Sequence, residues 1–542
     1  MNAHVVADQG EVFELLEDST TYGIAEPTRR IDTHGAVVFL AGRDAYKVKR
    51  AVRFPFMDFS TLEKRKAACE RELEVNRDNA PDIYLGLVPV TRSRAGLVLG
   101  GAGEEVEWAV HMRRFDENAT LDQVAERGGL TSKLVSDLAA AVVRAHERAQ
   151  RKEFDGAAAL EGYILENAES FAETPELFLP ERVRNLSGAS LAHLGRDKEL
   201  LLERRKAGYV RRCHGDLHLR NIVQLRGAPV LFDALEFDEA MATGDVLYDL
   251  AFLLMDLWER GFRQAANAVL NHYLWSSDEA QLAGLSALPL FLSVRAAIRA
   301  KVVAASLPHL QGQEHGAAAR EARRYFSLAE HCLVAAPARL VAIGGLSGTG
   351  KTMIAAELAP LLGRLPGAVH LRTDIERKRL FGAAETEHLP QSGYEPEATA
   401  KVYALVSRKA RSALASGYSV IADAVHALPE ERCGIERAAR ASAVPFDGLW
   451  LEAPLALRIG RVEGRSHDAS DATADYVRRQ ANTDIGDLSW QRIEATGSPA
   501  SVVHGAIASL GLAAQDAEPA QARDAAPPPV GRKDEPLSDS QR

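Results

Sequence analysis

Residues 213–221, "CHGDLHLRN", decide how the first half of this 542-residue chain is interpreted. They are followed by "IVQL", "RGAP" and "VLFD", a pattern typical of a strand, a tight turn and a second strand. In an antiparallel hairpin, the start of one strand lies beside the end of the other. We therefore expect Asn221 and Asp233 to meet at one end of this hairpin. Their amide and carboxylate oxygens are hard donors of the kind that Mg²⁺ prefers.

Asp216 lies five positions before Asn221, in the loop that opens onto the expected ion. A carboxylate at this place can orient an attacking hydroxyl and accept its proton. The spacing D-x-x-x-x-N, followed by a metal-binding aspartate, is that of the protein-kinase catalytic loop. The form "HGDLHLRN" resembles the aminoglycoside phosphotransferase and choline kinase-like branch of that fold. The resemblance implies that Asp216 is the catalytic base and that Asn221 and Asp233 bind Mg²⁺ beside ATP.

The same resemblance implies a phosphate-binding lysine in "YKVK" and a glutamate that pairs with it. Lys47 and Lys49 fall on one face of the expected strand, because side chains alternate along a strand. Alignment of "YKVK" with the VAIK pattern of kinases favours Lys49. Glu72 of "ERELEVN" is the preferred partner, with Glu70 second.

A second stretch, "GGLSGTGKT" at residues 344–352, fits the pattern G-x-x-x-x-G-K-[ST] from Gly345. It follows an apolar strand and precedes a helical pattern, which is the context of a P-loop. Glycines let the backbone N–H groups surround phosphates, and the helix N-terminus adds positive potential. We expect Lys351 to reach the outer phosphates and the Thr352 hydroxyl to bind Mg²⁺. The residues predicted to bind the nucleotide here are Gly345, Ser347, Gly348, Thr349, Gly350, Lys351 and Thr352.

Two carboxylates are expected near this loop, because the carboxyl ends of parallel strands face the ligand crevice. Asp423 ends the strand pattern "YSVIAD" and is a candidate to bind Mg²⁺ through water. Asp374 ends "GAVHLRTD" and is a candidate to orient the acceptor hydroxyl, with helix capping as its alternative. Arg461 and Arg465 lie on a predicted helix and its exit. They form either a lid over the transferring phosphoryl group or a solvated basic face.

Residues 338–512 resemble the small P-loop kinases of the AAA_33 type, which include gluconate kinase-like, chloramphenicol phosphotransferase-like and zeta-toxin-like proteins. The predicted fold class is an α+β, protein-kinase-like bilobal domain followed by an α/β P-loop domain with a doubly wound parallel sheet. The first domain is predicted at residues 1–335, with a small lobe to about 115 and a helical lobe from 116. Residues 514–542, rich in Ala, Pro and Asp, are predicted to form a disordered tail.

Composition narrows the class of partner. The net charge of -10 argues against bulk electrostatic binding to nucleic acid or to an anionic membrane. The four cysteines are far apart and predict neither a disulfide framework nor a zinc site, which favours a reducing compartment such as the cytoplasm. The start of the chain does not resemble a signal peptide. The apolar run "LSALPLFLSV" is too short to span a bilayer and predicts a buried helix.

Nearly the whole chain is similar to bacterial bifunctional aminoglycoside phosphotransferase/ATP-binding proteins, through "YKVKR", "CHGDLHLRN", "LFDALEFD" and "RTDIERKRLFG". The resemblance implies an enzyme with two ATP sites, each transferring the γ-phosphoryl group to a hydroxyl of a small molecule. The alternative is that one domain is a nucleotide-binding module that regulates the other. An aminoglycoside is polycationic and needs an acidic pocket, to which Glu236, Asp238 and Glu239 could contribute. The same three acids are also typical of a solvated loop.

Overall fold

A computed structural model describes residues 4–54, 57–94, 96–464 and 469–512. The predicted tail and Arg465 lie outside these residues, so their predicted roles stay predictions.

The N-terminal part is a six-stranded antiparallel sheet in the order β1-β2-β3-β8-β6-β7. Helix α2 packs on β8 and begins after Thr61, whose hydroxyl accepts a hydrogen bond from the Lys64 N–H. The elements of this part are α1 Gly10–Glu17, β1 Arg29–Asp32, β2 Ala36–Ala41, β3 Asp44–Lys49, β4 Arg53–Phe54, β5 Met57–Asp58, α2 Leu62–Arg77, β6 Tyr84–Ser93, β7 Gly96–Leu99 and β8 Glu104–Arg113.

Helices follow, together with two short antiparallel ribbons that carry the "CHGDLHLRN" loop. Strand β9 pairs with β12 on one side of this loop, and β10 pairs with β11 on the other, as the hairpin prediction requires. The helices are α3 Leu121–Glu126, α4 Ser132–Arg148, α5 Gly156–Ala172, α6 Pro180–Lys206, α7 Val246–Glu259, α8 Arg263–Ser276, α9 Gln281–Gly284, α10 Leu288–Ser306 and α11 Gly312–Cys332. The strands are β9 Val210–Arg212, β10 Ile222–Leu225, β11 Ala228–Leu231 and β12 Thr243–Asp245.

One stretch, Gln281–His309, is long and apolar enough by composition to cross a membrane. In the structure 83% of its most apolar window is buried inside the protein. The stretch contains α10, which packs against α7 and α11. Its apolar character is therefore that of a core helix, as the sequence predicted.

The C-terminal part is a five-stranded parallel sheet in the order β14-β15-β13-β16-β17. Its central strand, "LVAIG", is buried along its whole length, as expected for a parallel strand covered on both faces. The strands are β13 Leu340–Gly344, β14 Val369–Arg372, β15 Val420–Asp423, β16 Phe446–Glu452 and β17 Gln491–Glu494. The helices are α12 Lys351–Leu358, α13 Thr373–Leu380, α14 Pro396–Ala415, α15 Pro429–Ala441, α16 Leu455–Glu463, α17 Ala474–Gln480 and α18 Pro499–Ser509.

The predicted order of a small sheet lobe, a helical lobe and a parallel sheet is confirmed. Strand β17 was not predicted, because "QRIE" at the sheet edge is mostly exposed and carries no apolar run. The two halves share a hydrophobic core: one buried cluster contains Leu250 and Leu270 of the helical lobe together with Leu340 and Val369 of the parallel sheet.

Candidate active sites

Helix α7 and the β10–β11 hairpin hold the "CHGDLHLRN" loop. The Asp249 carboxylate accepts a hydrogen bond of 2.8 Å from the Gly215 N–H, and the Asp256 carboxylate accepts one of 3.0 Å from the Leu219 N–H. The His214 Nε2 atom lies 2.9 Å from the Phe232 carbonyl oxygen of the hairpin. The loop is therefore fixed from both sides.

Asp216 is bound by its own loop. The Asn221 amide Nδ2 donates to Asp216 Oδ2 at 2.9 Å, and His218 Nε2 lies 3.4 Å from the same oxygen. Burial by itself would raise the pKa of Asp216, but His218 and then His214 outweigh it and hold the pKa below its usual value. The carboxylate is therefore ionised near neutral pH. The His218 ring thus lies against this carboxylate.

Asp233 follows β11 in a left-handed conformation with φ 59°. Such a conformation in a residue other than glycine costs about 1–3 kcal/mol and is found mainly at functional sites. The Phe232 N–H donates to the Asn221 carbonyl oxygen at 3.0 Å, so Asn221 and Asp233 lie at the same end of the hairpin, as the register implies. The structure brings the two predicted metal ligands to one place.

The two predicted lysines of β3 have different partners. Lys47 Nζ lies 2.8 Å from Glu72 Oε1 and 2.7 Å from Asp233 Oδ1. Lys49 Nζ lies 2.5 Å from Glu72 Oε2 and also pairs with Glu236. The Lys49 side chain is only 2% exposed, against 14% for Lys47. The geometry therefore favours Lys47, not Lys49, as the lysine that faces the metal site.

Glu72 lies between both lysines and is fully buried. Burial by itself would raise the pKa of its carboxyl, but the charges of Lys47 and Lys49 and their hydrogen bonds lower it to about 2. Glu72 is thus the partner that the sequence preferred over Glu70.

The acidic loop after Asp233 is engaged by protein groups. Glu236 pairs with Lys49, and Glu239 Oε1 lies 2.8 Å from Lys152 Nζ. Asp238 Oδ1 accepts hydrogen bonds from the N–H groups of the two residues that end this turn. These acids thus have partners within the chain, which weakens the interpretation as a pocket for a polycation.

Three glycines shape the P-loop of the second site. Gly345, Gly348 and Gly350 have φ of 141°, 87° and 96°, a region that other residues rarely adopt. A Cβ atom on Gly345 would lie 2.6 Å from the Leu451 carbonyl oxygen, and one on Gly348 would lie 2.5 Å from that of Arg458. The loop therefore requires glycine at these two positions for space as well as for conformation. Helix α12 begins at Lys351, directly after it.

Thr352 and Asp423 meet at the carboxyl end of the sheet. The Thr352 hydroxyl donates to Asp423 Oδ2 at 2.7 Å, and His370 Nε2 lies 3.2 Å from the same oxygen. Burial by itself would raise the pKa of Asp423, but the His370 hydrogen bond and nearby cationic groups lower it to about 2. A carboxylate can only accept, so His370 Nε2 carries the proton. His370 was missed because a histidine in an apolar strand gives no motif.

Gln480, at the end of α17, contacts the P-loop, and the sequence did not predict this contact. Its Oε1 atom accepts a hydrogen bond of 2.6 Å from the Ser347 N–H. The Thr349 hydroxyl donates to the Leu346 carbonyl oxygen at 2.9 Å, and Lys351 Nζ lies 3.3 Å from that oxygen. The predicted P-loop residues thus lie together. One of their backbone N–H donors, that of Ser347, is already bound to the side-chain oxygen of Gln480.

Arg461 lies at the loop as predicted, but it binds backbone. Its Nη1 atom donates to the Thr349 carbonyl oxygen at 3.1 Å, and Nη2 donates to that of Ala495 at 2.8 Å. The neighbouring Arg458, one turn earlier on α16, donates from Nε to the Ser347 carbonyl oxygen at 2.9 Å. Both arginines brace the P-loop backbone.

Asp374 lies in the first turn of α13, because β14 ends at Arg372. The prediction that Asp374 ends the strand is wrong by two residues. Burial, and then the carboxylates of Asp471 and Asp374, raise the pKa of Tyr394 above its usual value. The Asp374 carboxylate thus acts electrostatically on Tyr394, whose side chain is exposed.

Two family models match the chain: the Phosphotransferase enzyme family model at residues 40–285 and an AAA domain model at residues 340–483. The uncharacterized protein Rv2004c of Mycobacterium tuberculosis is 31% identical over 479 residues, covering 86% of this chain and 92% of the relative. The chain belongs to the same family. Mb2027c of Mycobacterium bovis matches to the same extent and is also uncharacterized. This family member is a phosphotransferase whose first part matches the Phosphotransferase enzyme family and whose second part matches an AAA domain.

Among solved structures, the match to a choline kinase from Cryptosporidium parvum covers 57% of the present chain and 91% of the choline kinase. The identity is 14% and the TM-score is 0.37. A sugar kinase from Janibacter sp. covers 34% of this chain and 99% of its own, with 19% identity and a TM-score of 0.26. These scores are too low to add to the topology described above.

Proposed function

We propose that each half of the chain transfers the γ-phosphoryl group of ATP to a hydroxyl of a small molecule. The observation that carries the proposal is the arrangement at the first site. Asp216 and Asn221 are hydrogen-bonded to each other, Asp233 lies at the same hairpin end, and Lys47 reaches Asp233 from the other lobe. A base, two hard oxygen donors and a cation are the parts that phosphoryl transfer needs.

The first site fits a magnesium ion. Asn221 uses its Nδ2 group on Asp216, and no donor among the described residues contacts its Oδ1 atom. Asp233 is held in a conformation typical of functional sites. Asn221 Oδ1 and Asp233 would hold Mg²⁺, which when bound neutralises part of the phosphate charge.

The chemistry at the first site follows from the residues present. The acceptor hydroxyl oxygen bonds to the γ-phosphorus while the bond from that phosphorus to the bridging oxygen of ADP breaks. Asp216, ionised near neutral pH, takes the hydroxyl proton. Lys47 neutralises charge on the phosphates, and Glu72 holds the lysine in place. Positioning and charge neutralisation supply most of the rate in such transfers.

At the second site, the N–H groups of the loop and Lys351 would bind the ATP phosphates. The Thr352 hydroxyl and Asp423 are 2.7 Å apart and would hold Mg²⁺ between the loop and the sheet. We assign Asp374 the role of orienting the acceptor hydroxyl, and Arg461 that of holding the loop against α16.

For the first acceptor we propose a sugar-like hydroxyl compound rather than an aminoglycoside. The acids Glu236, Asp238 and Glu239 have partners inside the chain, so this loop offers little charge for a polycation. A neutral polyol is bound through hydrogen bonds and does not require a cluster of negatively charged side chains.

The test is ATP turnover with Mg²⁺ against a panel of sugars, aminoglycosides and nucleosides. The proteins are the unmodified chain, Asp216→Asn and Lys351→Ala. We expect each substitution to abolish transfer to a different acceptor. If Lys351→Ala removes all activity and Asp216→Asn changes nothing, the first half is a binding or regulatory module and the proposal of two active sites is wrong.

A further inference from the structure

The edge of the parallel sheet is covered by a helix of the other half. Among the described strands, β14 has only β15 as a neighbour, and α8 lies along its open side. The His370 N–H donates to Asn271 Oδ1 at 2.7 Å, and Asn271 Nδ2 donates to the Ala368 carbonyl oxygen at 3.2 Å. The Asn271 amide thus supplies one acceptor and one donor to the edge, as a residue of an adjacent strand would.

Two more side chains of α8 continue this contact at intervals of four residues, which places all three on one helix face. Asn267 Nδ2 donates to the Ala368 carbonyl oxygen at 3.1 Å. Trp275 Nε1 donates to the His370 carbonyl oxygen at 2.7 Å. Both backbone groups of His370 are therefore bound by the phosphotransferase half of the chain.

The contact between α8 and β14 is buried, so its hydrogen bonds have no water to replace them. Asn267 and Asn271 are 3% and 2% exposed. A buried amide that loses its partners costs about 1–3 kcal/mol, so these bonds hold β14 at one position against α8.

His370 connects the edge strand β14 to the P-loop site. The His370 side chain is 3% exposed, and its Nε2 atom lies 3.2 Å from Asp423 Oδ2, the oxygen that accepts the Thr352 hydroxyl bond. When the backbone of His370 is fixed at both its N–H and its carbonyl, the ring meets Asp423 at a defined place.

We infer that the second active site is completed by the first half of the chain: Asn271 and Trp275 of α8 position His370, and His370 positions Asp423 beside Thr352. These three are positioning residues, since none of them lies on the P-loop itself. The inference rests on the proposed role of Thr352 and Asp423 in holding Mg²⁺.

The experiment measures the affinity of the full chain for the fluorescent nucleotide mant-ATP, with and without Mg²⁺. Lys47→Ala and Asp233→Asn are introduced together as a background, so that the signal comes from the P-loop. In this background we expect Asn271→Ala and Trp275→Phe to lower the gain in affinity that Mg²⁺ provides by roughly tenfold, as loss of outer groups does at other metal sites. Binding without Mg²⁺ should change little.

Two further variants separate positioning from general stability. His370→Asn keeps an N–H donor for Asp423 and should retain more of the Mg²⁺ effect than His370→Leu. Glu279→Gln removes the exposed ion pair of 3.0 Å with Arg408, another contact between the same two halves, and should leave the effect unchanged. Thermal unfolding of each variant verifies that it is folded. Trp275→Phe keeps an aromatic ring in place and covers the case in which Asn271→Ala does not fold.

Thr352→Ala and Asp423→Asn separate this inference from the proposed function. If neither changes the Mg²⁺ effect, the proposed metal site is wrong and the inference falls with it. If both abolish the effect while Asn271→Ala and Trp275→Phe behave like Glu279→Gln, only the inference is overturned.

Discussion

Lys47 Nζ lies 2.7 Å from Asp233 Oδ1, so a strand of the small lobe is joined to the hairpin of the helical lobe by one ion pair. Asp233 is the more exposed partner, with 41% of its side chain accessible, whereas Lys47 is 14% exposed. The cation is therefore already held where the phosphates and metal of the proposed reaction meet. Lys49, two residues further along the same strand, pairs with Glu72 and Glu236 instead and has no ion pair with Asp233 among the described residues.

The two lysines should respond differently to substitution. We expect Lys47→Met to lower kcat/KM of the first reaction by about 100-fold or more, because a preorganised positive charge is lost at the transferring group. Lys49→Met should mainly destabilise the fold, because the buried Glu72 and Glu236 carboxylates lose a partner at a cost of about 3–5 kcal/mol. Steady-state kinetics and urea unfolding measure the two effects. A larger kinetic loss in a stable Lys49→Met protein would reverse the assignment.

The lowered pKa of Glu72 predicts that the free energy of unfolding depends on pH in the acid range. Its pKa is lowered from an ordinary value of 4.5 to about 2 in the folded chain. A lowered carboxyl pKa gives stability that is complete above pH 4.5 and is lost as the pH falls towards 2. Glu72→Gln should therefore make the unfolding free energy depend less steeply on pH in this window. Denaturant unfolding at several pH values tests this, and an unchanged slope would contradict the assignment.

His218 should set the acid limb of the first reaction. Because burial by itself raises the pKa of Asp216 and His218 opposes it, His218→Ala should raise that pKa. The acid limb of kcat/KM then moves to higher pH, since the base must be ionised to act. His309→Ala, which removes an exposed histidine, is the matched control. Identical limbs in both variants would show that His218 does not act on Asp216.

Gln480 should compete with the nucleotide at the P-loop. Its Oε1 atom accepts the Ser347 N–H, a group that would otherwise be available to a phosphate oxygen. Gln480→Ala removes a hydrogen bond whose net value is about 1 kcal/mol, so ATP affinity at this loop should rise by roughly fivefold. Equilibrium binding in the Lys47→Ala, Asp233→Asn background measures this. Weaker binding would instead mean that the Gln480 amide contacts the nucleotide.

The parts of both sites that depend on short local patterns were predictable. The Asn221 and Asp233 pair follows from a hairpin a dozen residues long, and the P-loop follows from its glycine spacing and flanking elements. The choice between Lys47 and Lys49 was not predictable, because Glu236, which engages Lys49, lies 187 positions away. A strand period places both lysines on one face but does not say which partner each one meets.

His370 and Gln480 show the same limit at the second site. Each acts through a contact with a residue 53 or 133 positions distant, and neither belongs to a recognisable pattern. The role of Glu239 was likewise set by Lys152, which the linear sequence does not bring near it. The short motifs of both sites could be predicted from the sequence. The distant residues that contact these motifs are brought to them only by the tertiary fold.

The amide pairing of α8 on β14 also bears on solubility. An open strand edge offers unpaired N–H and carbonyl groups to other chains and promotes edge-to-edge aggregation. Here "VHLR" is buried at every residue, and the Asn271 and Trp275 side chains occupy its backbone groups. The C-terminal half produced alone would expose this apolar edge, so the first half acts towards it as a built-in chaperone.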